Sequence, residues 1–383
     1  MSDYLPYLPQ ELITEILLRL PAKSVAKFRC VSKPWCSLLT SPHFIKSHLA
    51  LQKSHDPENL ILVSYYDHTL HTITLRPPTS SGSNQQDAVS RQISLLGCQE
   101  KWDSVIGSCH GLVLLETEDD NKFLINPTTL EIVEIPRFSS PVYPSVGGSM
   151  HGFGHDVLSD DYKIVTISYS YDFCFEQVTL CDYNYVDVYS VKKGTWRRIG
   201  NFPFEHGVAY PASGVFLNGV IHWMACEDFT ECGGRTSLIA GFYLDHEVFK
   251  VIPPPSCLDK SNLVFIKLVV LGGCLGMFVR CSDDQLDVWV MKEYGVQESW
   301  TKFSINVVDE VDWFIPICLL RDEEIVLENG EKLITYNLKE RTSKDMVVTD
   351  APELFVDGTL PCTESLLSPS FYNHDEDQQI PEV

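Results

Sequence analysis

Between Leu8 and Pro21, apolar residues at positions 12, 13, 16, 17 and 20 follow the spacing of a helical stripe. Proline punctuates both ends. Pro9 suits a first turn, where its missing N–H costs nothing, and Pro21 stops the run. Ser24 is the expected N-cap of a second helix carrying Val25, Phe28 and Val31, and Pro34-Trp35 and Ser41-Pro42 mark further helix starts, ending near Leu49. Three short helices in about forty residues bury too little apolar surface to stand alone, so this unit needs a partner, either the rest of the chain or another protein.

Beyond residue 55 the period changes. Helical stripes give way to short β-branched and aromatic runs separated by turn residues, the pattern of an all-β region. A strand–turn–strand unit recurs: Ile61–Val63 to Ile73–Leu75, Phe123–Ile125 to Ile132–Ile135, Val186–Tyr189 to Trp196, Ile239–Leu244 to Val251–Ile252, Leu286–Met291 to Trp300, and Leu333–Tyr336 to Met346–Val347. The turns lie near 67, 126, 192, 245, 292 and 337, and a period of roughly 50 residues signals propeller blades of the kelch type. Glycine-led runs between them (108–115, 218–223, 272–278) supply enough further strands for four per blade. The expected fold is multidomain: a small all-α module over 1–50, an all-β propeller-like domain of about six blades over 51–350, and a C-terminal segment over 351–383 with a disordered acidic tail.

Composition narrows the function classes. The chain has 383 residues, with 52 Asp and Glu against 29 Lys and Arg, a formal net charge of −23. So acidic a chain is a poor ligand for phosphate backbones, which excludes general nucleic-acid binding. The charge is uneven: Leu8 to Leu49 carries six bases and two acids, leaving −27 for the remainder. Thirteen cysteines, odd in number and never spaced C-x-x-C, read as free thiols of a reducing compartment. The N-terminus has no secretory pattern, and the most apolar stretch, 263–279, is interrupted by Lys267 and glycines and too short to span a bilayer. A soluble protein of the cytoplasm or nucleus is expected.

The helical unit also carries a resemblance. Leu8-Pro9, Ile16-Leu17, Arg19-Leu20-Pro21-Ala22-Lys23-Ser24, Phe28-Arg29-Cys30-Val31-Ser32-Lys33, Trp35 and Leu38-Leu39 resemble the F-box in its plant form. The β region is similar to the F-box-associated domain at Gly107–Leu112, Asn126–Thr129, Gly152–Asp156, Gly219–Trp223 and Asp287–Gly295. The resemblance implies an F-box that docks on a Skp-type adaptor of a cullin-RING ubiquitin ligase, through Leu8, Pro9, Ile16, Leu20, Pro21, Val25, Val31 and Trp35. It further implies a β-domain that holds the protein to be ubiquitinated. Neither catalysis by this chain nor a cofactor is implied. The rival readings are an F-box scaffold or competitor that promotes no degradation, and a propeller-based small-molecule sensor.

Residue by residue, enzymatic alternatives are weak. Gly152-Phe153-Gly154 lacks the third glycine and the helix of a dinucleotide fingerprint. Cys109 and His110 are chain neighbours, and neighbours on a strand point to opposite faces. Asp156, Asp160 and Asp161 lack the ligand pattern of a calcium loop and read as a turn before the strand Lys163–Ser168. His151 and His155 are separated by glycines that disfavour a shared helical face for metal ligation. Trp196, Trp223, Trp289 and Trp300 sit in strand patterns and are expected to fill blade cores. Target recognition falls to the long connections: 77–87, 139–150, 169–185 with Phe173, Phe175, Asp182, Tyr183 and Tyr185, and 226–235 with Glu227, Asp228 and Glu231. Aromatics mixed with acids suit a protein target bearing Lys and Arg, so a basic target is expected.

Overall fold

The structure, a computed structural model, describes residues 8–51, 59–75, 88–95, 97–138, 147–174, 177–206, 213–229, 235–256, 265–282, 285–305, 314–320, 323–353 and 358–370. Four helices come first, one more than the three expected, because Ser41-Pro42 starts a helix of its own: α1 (Gln10–Leu18), α2 (Ala22–Phe28), α3 (Lys33–Leu39) and α4 (Pro42–Leu51). Pro9 precedes α1, as the sequence predicts. The second helix starts earlier than its expected Ser24 cap, because Pro21 at φ −55° already has the backbone angle of a helix entrance and no N–H to satisfy. Ser32 and Ser41 cap the last two helices, their hydroxyls accepting from the Trp35 and Phe44 amides at 3.3 Å.

Six antiparallel sheets follow as the blades of a β-propeller. Blades 2, 3, 5 and 6 each have four consecutive strands, beginning at Trp102–Cys109, Gly147–Asp156, Phe265–Leu271 and Ile315–Leu320 respectively. In blade 4 the inner position is shared by Glu205–His206 and Val215–Leu217, both paired with Val220–Phe229. Blade 1 is assembled from both ends of the domain. Its inner strand, Leu360–Cys362, pairs antiparallel with Asn59–Val63, and Leu70–Leu75 and Ala88–Ile93 follow outward. The innermost strands pack in a ring that closes where Leu360–Cys362 lies between Ile315–Leu320 and Trp102–Cys109.

This closure explains a shift in the sequence pattern. In blades 2 to 6 the recurring hairpin is the third–fourth strand pair, but Ile61–Leu75 belongs to the second and third strands of blade 1, since the first arrives from the far end of the chain. In blade 6 the outer strand is Thr342–Asp345, a few residues before the expected Met346–Val347, because the turn closes tightly at Arg341 with φ +57°. The described parts of the segments 169–185 and 226–235 are hairpin arms rather than loops. Asp161–Cys174 pairs with Gln177–Ser190, and Val220–Phe229 with Arg235–Tyr243, as their Val, Thr and Tyr content favours.

The tryptophans behave as core residues. Trp223, Trp289 and Trp300 are buried and Trp196 is half-buried; the indole N–H of Trp223 donates to the His151 carbonyl at 3.2 Å, and that of Trp300 to the Pro253 carbonyl at 2.9 Å. Residues 157–160 form the expected turn, and Asp156 binds the Leu158 amide at 2.9 Å. Cys109 is buried, and burial pushes its thiol up, away from the reactive thiolate. His110 occupies the adjoining turn with φ +53°, and its Nδ1 lies 2.9 Å from the Tyr162 hydroxyl.

Candidate functional surfaces at the two ends of the propeller

Strand alternation fixes which connections share a rim. In blades 2 to 6, first–second and third–fourth turns fall on one rim and second–third turns on the other. The helical module sits on the first of these. Leu17, Leu18, Ala22, Val25, Leu39, Phe44 and Ile45 share one continuous core with Cys109 and Leu112 of blade 2, Tyr162, Ile164, Tyr189 and Val191 of blade 3, and Leu366 and Leu367 beyond the closing strand.

Polar contacts ring that core. Lys23 pairs with Glu364 at 2.5 Å, Lys46 with Asp160 at 2.5 Å, and Arg29 with Glu131 at 3.7 Å while also donating to the Leu366 carbonyl at 3.2 Å. The buried side-chain amide of Asn126 donates to the Leu367 carbonyl at 2.6 Å and the Ser365 carbonyl at 3.1 Å. Residues 363–370 are thus a strap between helices and blades.

With one side of the helices buried, the other remains in water. Leu8, Leu12, Ile16 and Val31 are 56%, 51%, 52% and 61% exposed. Leu12 and Ile16 are one turn apart on α1, opposite Leu17 and Leu18, which reach the core. Of the eight residues expected to contact an adaptor, Leu8, Pro9, Ile16, Pro21 and Val31 are exposed. Leu20 is half-buried, its carbonyl accepting from His48 Nε2 at 2.8 Å, and Trp35 is half-buried edge-to-face with Phe28 at 5.8 Å. Val25 has no exposed surface and packs α2 against the shared core. Leu12 was not among the eight; its i, i+4 relation to Ile16 is the signal that identifies it.

The family comparisons agree with this geometry. Residues 5–47 match the F-box domain, and residues 62–357 match the F-box associated beta propeller domain. The chain belongs to the F-box proteins with an associated β-propeller. It is similar to the F-box protein CPR1 of Arabidopsis thaliana, with 30% identity over 91% of this chain and 86% of that protein. It is likewise similar to the F-box/kelch-repeat protein At3g23880 of the same plant, with 29% identity over 86% of this chain and 87% of the other. The closing strand and the strap lie beyond the matched stretch of the propeller family.

On the opposite rim lie the two long hairpin arms. Phe173 is in one strand of the blade 3 arm and Asp182, Tyr183 and Tyr185 in the other; Glu227 and Asp228 are in the blade 4 arm. Phe175 and Glu231 lie outside the described residues, as do 77–87 and 139–146 and the side chains of Phe173, Asp182, Tyr183, Glu227 and Asp228. Tyr185 is half-buried with the Arg198 guanidinium 4.0 Å over its ring, and Arg198 in turn pairs with Asp187 at 2.9 Å.

The same rim carries a feature that sequence reading did not single out. Tyr65 and Tyr66, 58% and 66% exposed, meet edge-to-face at 5.6 Å on the second–third turn of blade 1. The turn is braced. The Ser64 amide donates to the Thr69 carbonyl at 2.8 Å, the Thr69 hydroxyl to Asp67 at 2.8 Å, and the Trp102 amide to the His68 carbonyl at 3.1 Å. The hydrogen bond from Ser64, aided by Thr69, holds the Asp67 carboxyl below its usual range, so it is ionised beside the tyrosines. Adjacent tyrosines at a polar turn between two alternating strands were the available signal.

Proposed function

We propose that this protein is the substrate receptor of a Skp–cullin–F-box ubiquitin ligase, with the F-box gripping a Skp-type adaptor and the rim facing away from it holding a protein target for ubiquitination and degradation. The carrying observation is the apolar face of Leu8, Leu12, Ile16 and Val31 left in water on a module whose other side is already buried. An exposed apolar face of this kind marks a protein interface. Pro9, Leu20, Pro21 and Trp35 border or support it, and Val25 fixes α2 behind it.

The mechanism is proximity. Joining a target lysine to a charged ubiquitin carrier through one assembly raises their effective concentration, and the chemistry belongs to other subunits. The target side is read from the braced Tyr65–Tyr66 pair and from the arms bearing Phe173, Asp182, Tyr183, Tyr185, Glu227 and Asp228, with Phe175 and Glu231 beside them in the sequence. Described connections on that rim carry eight acids (Asp67, Glu100, Glu118, Asp119, Asp120, Glu331, Asp350 and Glu353) and three bases (Lys101, Arg137 and Lys332), which favours a target rich in Lys and Arg. Such a receptor works in the cytoplasm or nucleus.

The adaptor reading is tested by copurification. Leu12→Ser/Ile16→Ser is expected to abolish binding to a plant Skp-type adaptor while leaving the melting temperature unchanged, because both side chains are exposed. Undiminished binding would overturn it. In-vitro ubiquitination of a bound partner then separates a receptor from a scaffold, which would bind without transfer.

A further inference from the structure

We infer that the tip of the first hairpin of blade 3, Val157-Leu158, is a second contact for the adaptor, beside the F-box and on the same rim. The inference rests on reading the α1 face as the adaptor site. Turn tips are ordinarily built from Gly, Asn, Asp, Ser and Pro. Here two adjacent aliphatic side chains stand 78% and 75% exposed.

The tip is held in place. Asp156 accepts from the Leu158 amide at 2.9 Å and the Ser159 hydroxyl at 2.5 Å, and pairs with Lys163 at 2.8 Å. Asp160, at φ +51°, closes the turn. Its carboxylate binds Lys46 of α4 at 2.5 Å and lies 3.3 Å from His155 Nε2. The blade therefore braces the tip from below and the F-box braces it from the side. A pre-positioned apolar contact loses little ordering entropy when a partner covers it.

Continuity points to the adaptor as occupant. The helix that holds the tip, α4, packs directly on α1 and α3, so the tip is continuous with the F-box on this rim. Size points the same way. A stable interface takes roughly 800 Å² from each partner, and a module of about forty residues with one face already buried offers few apolar side chains. Val157 and Leu158 add two from the propeller, so the adaptor reads the F-box and the blade together.

The test uses the full chain and a purified plant Skp-type adaptor. Val157→Ser/Leu158→Ser, at exposed turn positions, is expected to leave the melting temperature unchanged and to weaken adaptor binding roughly tenfold. Asp160→Asn, which keeps both aliphatic residues but releases the tip from Lys46, is expected to weaken it about threefold. In the wild-type complex the amides of 157–160 gain protection from hydrogen exchange. If Leu12→Ser/Ile16→Ser abolishes binding while Val157→Ser/Leu158→Ser binds like wild type, the tip inference is wrong and the α1 reading stands. If the α1 variant binds normally and the tip variant does not, the α1 reading fails and the tip is upheld as a contact in its own right. If the tip variant instead alters self-association in sedimentation with adaptor affinity intact, the tip is a contact between copies of this chain and the inference falls.

Discussion

At the residue scale, His222 shows how burial turns a side chain into a pH-dependent term. It is fully buried in blade 4, with Nδ1 3.0 Å from the Val215 carbonyl and Nε2 2.7 Å from the Tyr294 hydroxyl in blade 5. The carbonyl accepts from Nδ1–H, so the neutral ring accepts from the Tyr294 hydroxyl at Nε2. Burial lowers its pKa from 6.5 to about 4. Above pH 6.5 both folded and unfolded chains hold the neutral ring, and stability is at its full value. As pH falls through 6.5 the unfolded chain takes up a proton that the native chain refuses, so stability drops by about 1.4 kcal/mol per pH unit until near pH 4. Urea unfolding at pH 7.5 and 5.0 is expected to show a loss about 2 kcal/mol larger in wild type than in His222→Gln, because glutamine has no proton to gain. Equal losses would rule this out. The buried His151 is likewise held neutral, so some acid sensitivity remains in the variant.

At the element scale, the decisive piece is the short stretch from Leu360 to Ser370. Its first three residues complete blade 1, and the next eight fill the junction with the F-box. Leu366 and Leu367 are buried in the shared core, so replacing either by alanine is expected to cost about 2–5 kcal/mol, measured by chemical unfolding. A chain ending at Gly358 is expected to lack both ring closure and the strap, and to purify as aggregate. The helices, the strand-rich blades and their number were legible in the sequence because each rests on local periodicity and turn chemistry. Leu360–Cys362 was not. Three residues containing a proline carry no strand signal, and the pairing partner at Asn59–Ile61 is some three hundred positions away. The hairpin arms of blades 3 and 4 read as loops in the sequence for a related reason: the acids Asp172, Asp182, Glu227 and Asp228 interrupt otherwise strand-like runs, and pairing across the arm overrides them. The outward side of α1 was legible from spacing, but which apolar residues face the propeller depended on the strap, and Val25 could not be sorted from Val31 by sequence alone.

At the scale of the whole molecule, the F-box and the propeller are joined by one core rather than by a tether. The charge split of +4 against −27 works partly across that junction, since Lys23, Arg29 and Lys46 each face a carboxylate of the β-domain. Their contribution is modest, because pairs open to solvent are worth at most about 1 kcal/mol each. Apolar burial does most of the joining. A shared core implies shared unfolding: calorimetry on the full chain is expected to give one transition with matching calorimetric and van't Hoff enthalpies, whereas two separable transitions would mean the domains fold independently. Deleting residues 1–51 uncovers Cys109, Leu112, Tyr189, Leu366 and Leu367 on the rim, so the remaining propeller should melt at a lower temperature and bind hydrophobic dyes. The deletion is therefore a poor control for loss of adaptor binding, since it damages the domain proposed to hold the target. Leu12→Ser/Ile16→Ser removes the proposed docking face and leaves the junction intact. Because one core joins the F-box to the propeller, the height of the propeller separates the proposed adaptor face from the proposed target rim, and a flexible insert between the F-box and blade 1 should slow in-vitro ubiquitin transfer only if it also breaks the contacts of the strap.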